Sequence, residues 1–199
     1  MRIKEFLERV SEARLVAVIR ADHPDTALDR ARQARDAGVE VLEVAWTTPK
    51  ARDVLEHLSE WPTVVGAGTI TSPREAMSAL RSGAEFLIAP SFSEAVHEEA
   101  LKHDVAYVPG VFTPQDVSRA LSAGCRVLKL FPAVTGGTVH LSALREPFPG
   151  LSWIPTGGVT WETAAEWIAA GATAVAMGTA LFRTADTIEA VASLRGVRP

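Results

Sequence analysis

Lys129 stands in Val127-Leu128-Lys129-Leu130-Phe131-Pro132, an otherwise apolar run with Gly124 upstream and Gly136-Gly137 downstream. Taking an ammonium out of water costs several kcal/mol unless it finds a partner or sheds its proton, and an amine without its proton is a nucleophile. Imine chemistry is one reason to keep a lysine there. The bland alternative is snorkelling, in which the methylenes are buried and the nitrogen stays in water. Glu43, inside Val41-Leu42-Glu43-Val44-Ala45-Trp46, is a second charge in an apolar run, and Arg20 closes Leu15-Val16-Ala17-Val18-Ile19-Arg20. Strand side chains alternate between faces, so Arg20 shares a face with Val16 and Val18, Glu43 with Val41 and Ala45, and Lys129 with Val127 and Phe131. Brought together, the amine attacks a carbonyl, the carboxylate shuttles protons, and the guanidinium fork clamps a substrate carboxylate. A buried salt bridge with no catalytic role is the structural alternative.

Eight apolar runs of strand length could position these groups: 15–20, 41–46, 63–68, 86–90, 105–109, 127–132, 152–156 and 174–178. Segments of helical periodicity separate them, opened by Asp22-His23-Pro24, Thr48-Pro49, Ser72-Pro73, Ser93-Glu94, Thr113-Pro114 and Thr160-Trp161-Glu162. Ala37-Gly38, Ser82-Gly83, Ala123-Gly124 and Ala170-Gly171 each close a helical segment, as glycine in a left-handed position does. These glycines stand 45, 41 and 47 residues apart, room for two strand-helix units each. Strands apolar on both faces and joined by helical crossovers make a parallel sheet. The expectation is therefore an α/β protein, a single (βα)8 TIM barrel with an additional N-terminal helix: residues 1–12 the helix, 15–182 the barrel core, 183–199 a C-terminal helix and tail. A doubly wound open sheet is the alternative. Gly66-Ala67-Gly68-Thr69 lacks the third glycine of a dinucleotide fingerprint.

At 199 residues the chain suits one well-buried core. Its net charge of −4 and 47% hydrophobic content, with no run of like charges, argue against disorder and nucleic-acid binding. Small molecules are the expected partners. Met1 to Val10 alternates charge and hydrophobe at helical spacing, unlike a secretory leader or a membrane span. The one cysteine, Cys125, cannot form an internal disulfide and reads as a core thiol in a cytoplasmic protein.

In a barrel the loops after the strands carry the chemistry, and those after strands seven and eight commonly cradle phosphate. Here they hold Thr156-Gly157-Gly158 and Gly178-Thr179, where exposed amides suit an anion; tight turns alone are the other explanation. His23, His57, His97, His103 and His140 have no metal-ligand spacing and read as surface residues. No Gly-x-Ser-x-Gly elbow is present. Trp46 and Phe131 could wall the pocket or simply pack.

Val16-Ala17-Val18-Ile19-Arg20, Leu42-Glu43-Val44, Gly66-Ala67-Gly68-Thr69, Val108-Pro109-Gly110, Leu128-Lys129-Leu130-Phe131-Pro132 and Pro155-Thr156-Gly157-Gly158-Val159, in that order, resemble the 2-keto-3-deoxy-6-phosphogluconate (KDPG)/4-hydroxy-2-oxoglutarate (KHG) aldolases. The resemblance runs from Leu15 to Phe182 and implies a metal-free class I aldolase of carbohydrate metabolism, a lyase of the Entner-Doudoroff type, cytoplasmic and homotrimeric, with no cofactor. It implies Lys129 as the imine-forming residue, Glu43 as general acid/base and Arg20 as carboxylate ligand. Thr69, Pro90 and Phe131 would line the pyruvyl pocket, and Thr156, Gly157, Gly158, Gly178 and Thr179 the phosphate end. Where some relatives carry an arginine after the strand-two glutamate, this chain has Trp46-Thr47-Thr48-Pro49, so the preferred keto acid stays open among phosphogluconate, phosphogalactonate and hydroxy-oxoglutarate types. A phosphosugar isomerase or epimerase and a noncatalytic phosphometabolite binder remain alternatives.

Overall fold

The computed structural model describes residues 1–183 and 186–197. Helix α1 (Ile3–Ala13) comes first, followed by β1 (Leu15–Ile19), α2 (Pro24–Asp36), β2 (Val41–Ala45), α3 (Ala51–Leu58), β3 (Val64–Gly68), α4 (Pro73–Arg81), β4 (Phe86–Ile88) and α5 (Glu94–Lys102). The second half holds β5 (Ala106–Val108), β6 (Gly110–Val111), α6 (Pro114–Ser122), β7 (Val127–Leu130), α7 (Ala133–Arg145), β8 (Ser152–Pro155), α8 (Trp161–Ala169), β9 (Val175–Met177), a 3-10 helix (Thr179–Arg183) and α9 (Thr187–Arg195). Of the expected C-terminal segment, residues 184, 185, 198 and 199 lie outside the described residues.

The strands pair in parallel in a curled sheet. Six run in the order β5-β4-β3-β2-β1-β9 and three in the order β6-β7-β8. The two groups meet through a parallel bridge between Thr156 and Ala176 and at Pro109, whose carbonyl accepts from the Lys129 N–H at 2.9 Å. Eight runs were expected, and the structure corrects the fifth. Pro109 has no N–H to donate, so the ladder breaks there into β5 and β6.

The period of two places the residues as expected. Val16, Val41, Val64, Phe86, Val108, Val127, Ile154 and Ala176 cluster together, and α1 adds Phe6, Val10 and Ala13, with the Phe6 and Phe86 rings 4.8 Å apart. The alternate residues, among them Leu15, Leu42, Val65, Leu87, Leu128 and Trp153, pack with the helices in a second cluster. Burying a side chain of this size stabilises by about 1.5–3 kcal/mol.

Local chemistry explains the helix boundaries. Ser72 with Glu75 and Thr113 with Asp116 form reciprocal capping boxes, and Ser93 accepts from the Val96 amide. The four helix-closing glycines adopt the left-handed φ values of 85°, 93°, 92° and 96°. Two local expectations are corrected. Helix α3 starts at Ala51 rather than at Thr48-Pro49, because Lys50 is left-handed with φ 55° and the Thr48 carbonyl accepts from Ala51. Gly136-Gly137 does not close the sixth apolar run. It lies inside α7, where Gly137, at φ 66° and ψ −171°, kinks the helix.

Candidate active site

Each of the three misfit charges continues an inward-facing parity. Val16 and Val18 precede Arg20, Val41 precedes Glu43, and Val127 precedes Lys129, all within or beside the same inner cluster. Arg20 and Phe131 lie just past the ends of β1 and β7, whereas Glu43 is at the centre of β2 and Lys129 is the third residue of β7.

Glu43 is completely buried and Lys129 is 6% exposed. The Lys129 Nζ lies 3.8 Å from Glu43 Oε1, close enough to interact but too long for a hydrogen bond. Among the described residues neither carboxylate oxygen of Glu43 receives a hydrogen bond. A buried pair this poorly satisfied is weak as a stabilising device, since desolvating both ions offsets their attraction.

Gly68 makes room for the acid. A Cβ at that position would fall 1.7 Å from Glu43 Oε1 and 2.4 Å from the carboxyl carbon. The sequence offers only a Gly-Ala-Gly-Thr element here, with no sign that one glycine faces the carboxylate. Gly66 similarly allows the Phe86 ring, 2.5 Å from where its Cβ would be.

Arg20 is exposed and its Nη2 donates to Thr69 Oγ1 at 3.1 Å. Thr69 has φ 62°, a left-handed conformation that strains a β-branched residue and is kept where surroundings enforce it. Behind Arg20, the Arg30 guanidinium donates to its backbone carbonyl and stands 5.8 Å from the Phe182 ring. The centre of the Phe131 ring lies 5.1 Å from Lys129 Nζ.

One cavity of about 490 Å³ gathers nearly all the expected residues: Arg20, Thr69, Pro90, Lys129 and Phe131 with Thr156, Gly157, Gly158, Gly178 and Thr179. Glu43 is the exception, sitting out of solvent beside Lys129 rather than on the wall. Gly157 and Gly158 have φ 89° and 83°, and a Cβ on Gly158 would meet Val134 at 2.4 Å. Both glycines thus serve close approach as well as the turn. Val18, Val159, Thr160, Ala176, Ala180 and Arg183 also line the cavity and were not foreseen. Arg183 follows the last apolar run, where no pattern ties it to the mouth.

Another cavity, of about 530 Å³, involves α5 and the turn before β7, with Arg2, His97, Tyr107 and Cys125 in its lining. Cys125 is buried, as expected, and burial pushes its thiol up to about 11 and the Tyr107 hydroxyl up to about 12. His97, whose pKa burial lowers, has Nδ1 3.3 Å from Cys125 Sγ. His140 places Nε2 2.7 Å from the Phe112 carbonyl oxygen. These two histidines are half-buried, which corrects their reading as surface residues; His23, His57 and His103 are exposed. Among the described residues no three His, Cys, Asp or Glu side chains group as metal ligands. No helix there is long and apolar enough to cross a membrane.

The profile of the family described as KDPG and KHG aldolase matches residues 6–193. The 2-dehydro-3-deoxy-phosphogluconate aldolase of Treponema pallidum is 33% identical over 170 residues, covering 84% of this chain and 80% of the relative. A crystal structure of a 4-hydroxy-2-oxoglutarate/2-dehydro-3-deoxyphosphogluconate aldolase from TTHB1 superposes with TM-score 0.86 at 34% identity, covering 97% of this chain and 98% of that one. The KDPG aldolase of Legionella pneumophila, solved with pyruvate captured as a covalent carbinolamine intermediate, gives TM-score 0.83 at 25% identity, with 97% and 98% covered.

Proposed function

Because this chain belongs to the KDPG and KHG aldolase family, we propose that it is a class I aldolase that cleaves a 2-keto-3-deoxy acid to pyruvate and an aldehyde through an imine on Lys129. The observation that carries this reading is the near-dry amine and carboxylate, 3.8 Å apart, with no hydrogen bond to the acid among the described residues.

The free amine of Lys129 adds to the C2 ketone, giving a carbinolamine that loses water to the iminium. Glu43 takes the proton of the C4 hydroxyl. The C3–C4 bond then breaks, its electron pair moving into the iminium to give an enamine while C4 leaves as the aldehyde. Protonated Glu43 returns its proton to C3, and water hydrolyses the resulting imine to pyruvate and the free lysine. Arg20 holds the carboxylate, with Thr69 steadying its guanidinium. Thr69, Pro90 and Phe131 enclose the pyruvyl half. The turns bearing Thr156, Gly157, Gly158, Gly178 and Thr179 offer amides to a phosphate, assisted by the N-terminus of α8. The phosphogluconate-type acid, giving glyceraldehyde 3-phosphate, and hydroxy-oxoglutarate, giving glyoxylate, are the substrates proposed, with the phosphogalactonate type as alternative.

The same reading takes the curled sheet as a closed (βα)8 barrel of a single domain, residues 1–199, with its mouth at the strand ends. The N-terminal helix would plug the other end. It further places the enzyme in the cytoplasm as a homotrimer of the Entner-Doudoroff type, working without metal or cofactor and without nucleic-acid or membrane partners. Borohydride reduction in the presence of pyruvate tests the centre of the proposal: a reduced pyruvyl adduct is expected on the peptide containing Lys129. An adduct on another lysine, or none, refutes the assignment.

A further inference from the structure

The cavity wall bears three cationic side chains, Arg20, Lys129 and Arg183, and among the described residues no carboxylate. Lys129 is engaged with the ketone, which leaves two guanidinium groups for the anionic parts of the substrate. Arg20 leans over β2 toward Thr69 at the end of β3. On the β8–β9 side the turns supply Gly157, Gly158, Gly178 and Thr179, all neutral, and Arg183 is the one charged side chain lining that side among the described residues.

The 3-10 helix Thr179–Arg183 orients it. Residues three apart eclipse in such a helix, so Ala180 and Arg183 share a face, and both line the cavity. The other residues anchor the turn. Leu181 is fully buried, its amide donates to the Gly178 carbonyl at 3.0 Å, and its own carbonyl accepts from Trp161 Nε1 at 3.2 Å. Phe182 lies under the Arg30 guanidinium. The base of Arg183 is thereby fixed while its exposed side chain can reach into the mouth.

The geometry points to Arg183 as the residue that selects substrates carrying a phosphate at the end remote from their carboxylate. This rests on the aldolase reading and deepens it. A phosphate monoester carries close to two negative charges near neutral pH, which neutral amides solvate but do not neutralise. A guanidinium matches it with charge and a two-point hydrogen bond. An uncharged terminal hydroxyl gives Arg183 nothing to neutralise, so the residue discriminates between a keto acid that ends in a phosphate and one that ends in a hydroxyl.

The test compares 2-keto-3-deoxy-6-phosphogluconate with 2-keto-3-deoxygluconate for the parent, Arg183→Gln and Arg183→Lys. The parent should prefer the phosphorylated acid. In Arg183→Gln the ratio of kcat/KM values should fall by about tenfold or more, chiefly through KM for the phosphorylated acid, with partial recovery in Arg183→Lys. Inorganic phosphate should inhibit the parent competitively and Arg183→Gln more weakly. A parent without the preference, an unchanged ratio, or parallel losses on both acids overturns the inference. Borohydride trapping with pyruvate on the same proteins separates the two ideas: absence of an adduct in the parent sinks the aldolase reading. A normal adduct with an unchanged ratio sinks only the role of Arg183.

Discussion

Adding one methyl group to Gly68 should disable proton transfer while leaving the imine intact. Gly68 pairs with Ala45 on β2, and its carbonyl accepts from the Trp46 amide at 2.8 Å, so its backbone is held by the ladder. A Cβ there would lie 1.7 Å from Glu43 Oε1, where ordinary contact begins at 3.4 Å, and the buried carboxylate must swing away by about 1.7 Å. Misplacing a reacting group by ~1 Å costs about a hundredfold in rate. That corresponds to about 2.7 kcal/mol of barrier. Overpacking adds about 1–3 kcal/mol of destabilisation, so a control must separate the two effects. Gly66→Ala supplies it, because the atoms nearest its Cβ, at 2.5 Å, belong to the Phe86 ring, whereas those nearest a Gly68 Cβ belong to the acid. Denaturant titration should show both variants destabilised, while steady-state assays of folded enzyme should show the hundredfold loss in kcat for Gly68→Ala alone. Borohydride should still trap pyruvate on Lys129 in both. If folded Gly68→Ala turns over within about threefold of the parent, the position of Glu43 does not limit catalysis and the reasoning fails.

The Asp116 carboxyl is held below its ordinary range: burial works against this, but the Thr113 amide and hydroxyl and the Phe112 amide donate to it and prevail. A depressed carboxyl stabilises the fold above its unfolded pKa of about 3.9 and loses that contribution as pH falls through the lower folded value. The stability gap between the parent and Asp116→Asn should therefore be full at neutral pH and close on acidification; a gap constant across a pH series of denaturant titrations contradicts this. Ser72→Ala removes the acceptor for the Glu75 amide at the start of α4 and should cost about 1 kcal/mol, read as a lower denaturant midpoint. With its thiol pushed up to about 11 by burial, Cys125 should alkylate slowly in native protein at mildly alkaline pH and rapidly once unfolded. Fast native labelling followed by mass spectrometry would count against its burial.

Much of the site was legible because its signals are local. A charge inside an apolar strand violates the pattern around it, and alternation alone assigns Arg20, Glu43 and Lys129 to the face of Val16, Val41 and Val127. The cap residues and the four helix-closing glycines are equally local, and they mark where most helices begin and end. Lys50 is different: its left-handed backbone delays α3 without any residue type announcing it. Pro109 could have been read as a ladder break, since the missing N–H is a property of the residue itself.

The sequence by itself determined which groups are chemically out of place and that strands and helices alternate to carry them, because both follow from side-chain chemistry and short-range periodicity. Only the tertiary structure decided that Lys129 and Glu43, 86 residues apart in the chain, approach to 3.8 Å. It also decided that Gly68 is the space the carboxylate occupies, and that Arg183 joins the mouth. Curling the sheet sets those separations, and they depend on how distant strands pair and pack, which no window of neighbouring residues encodes.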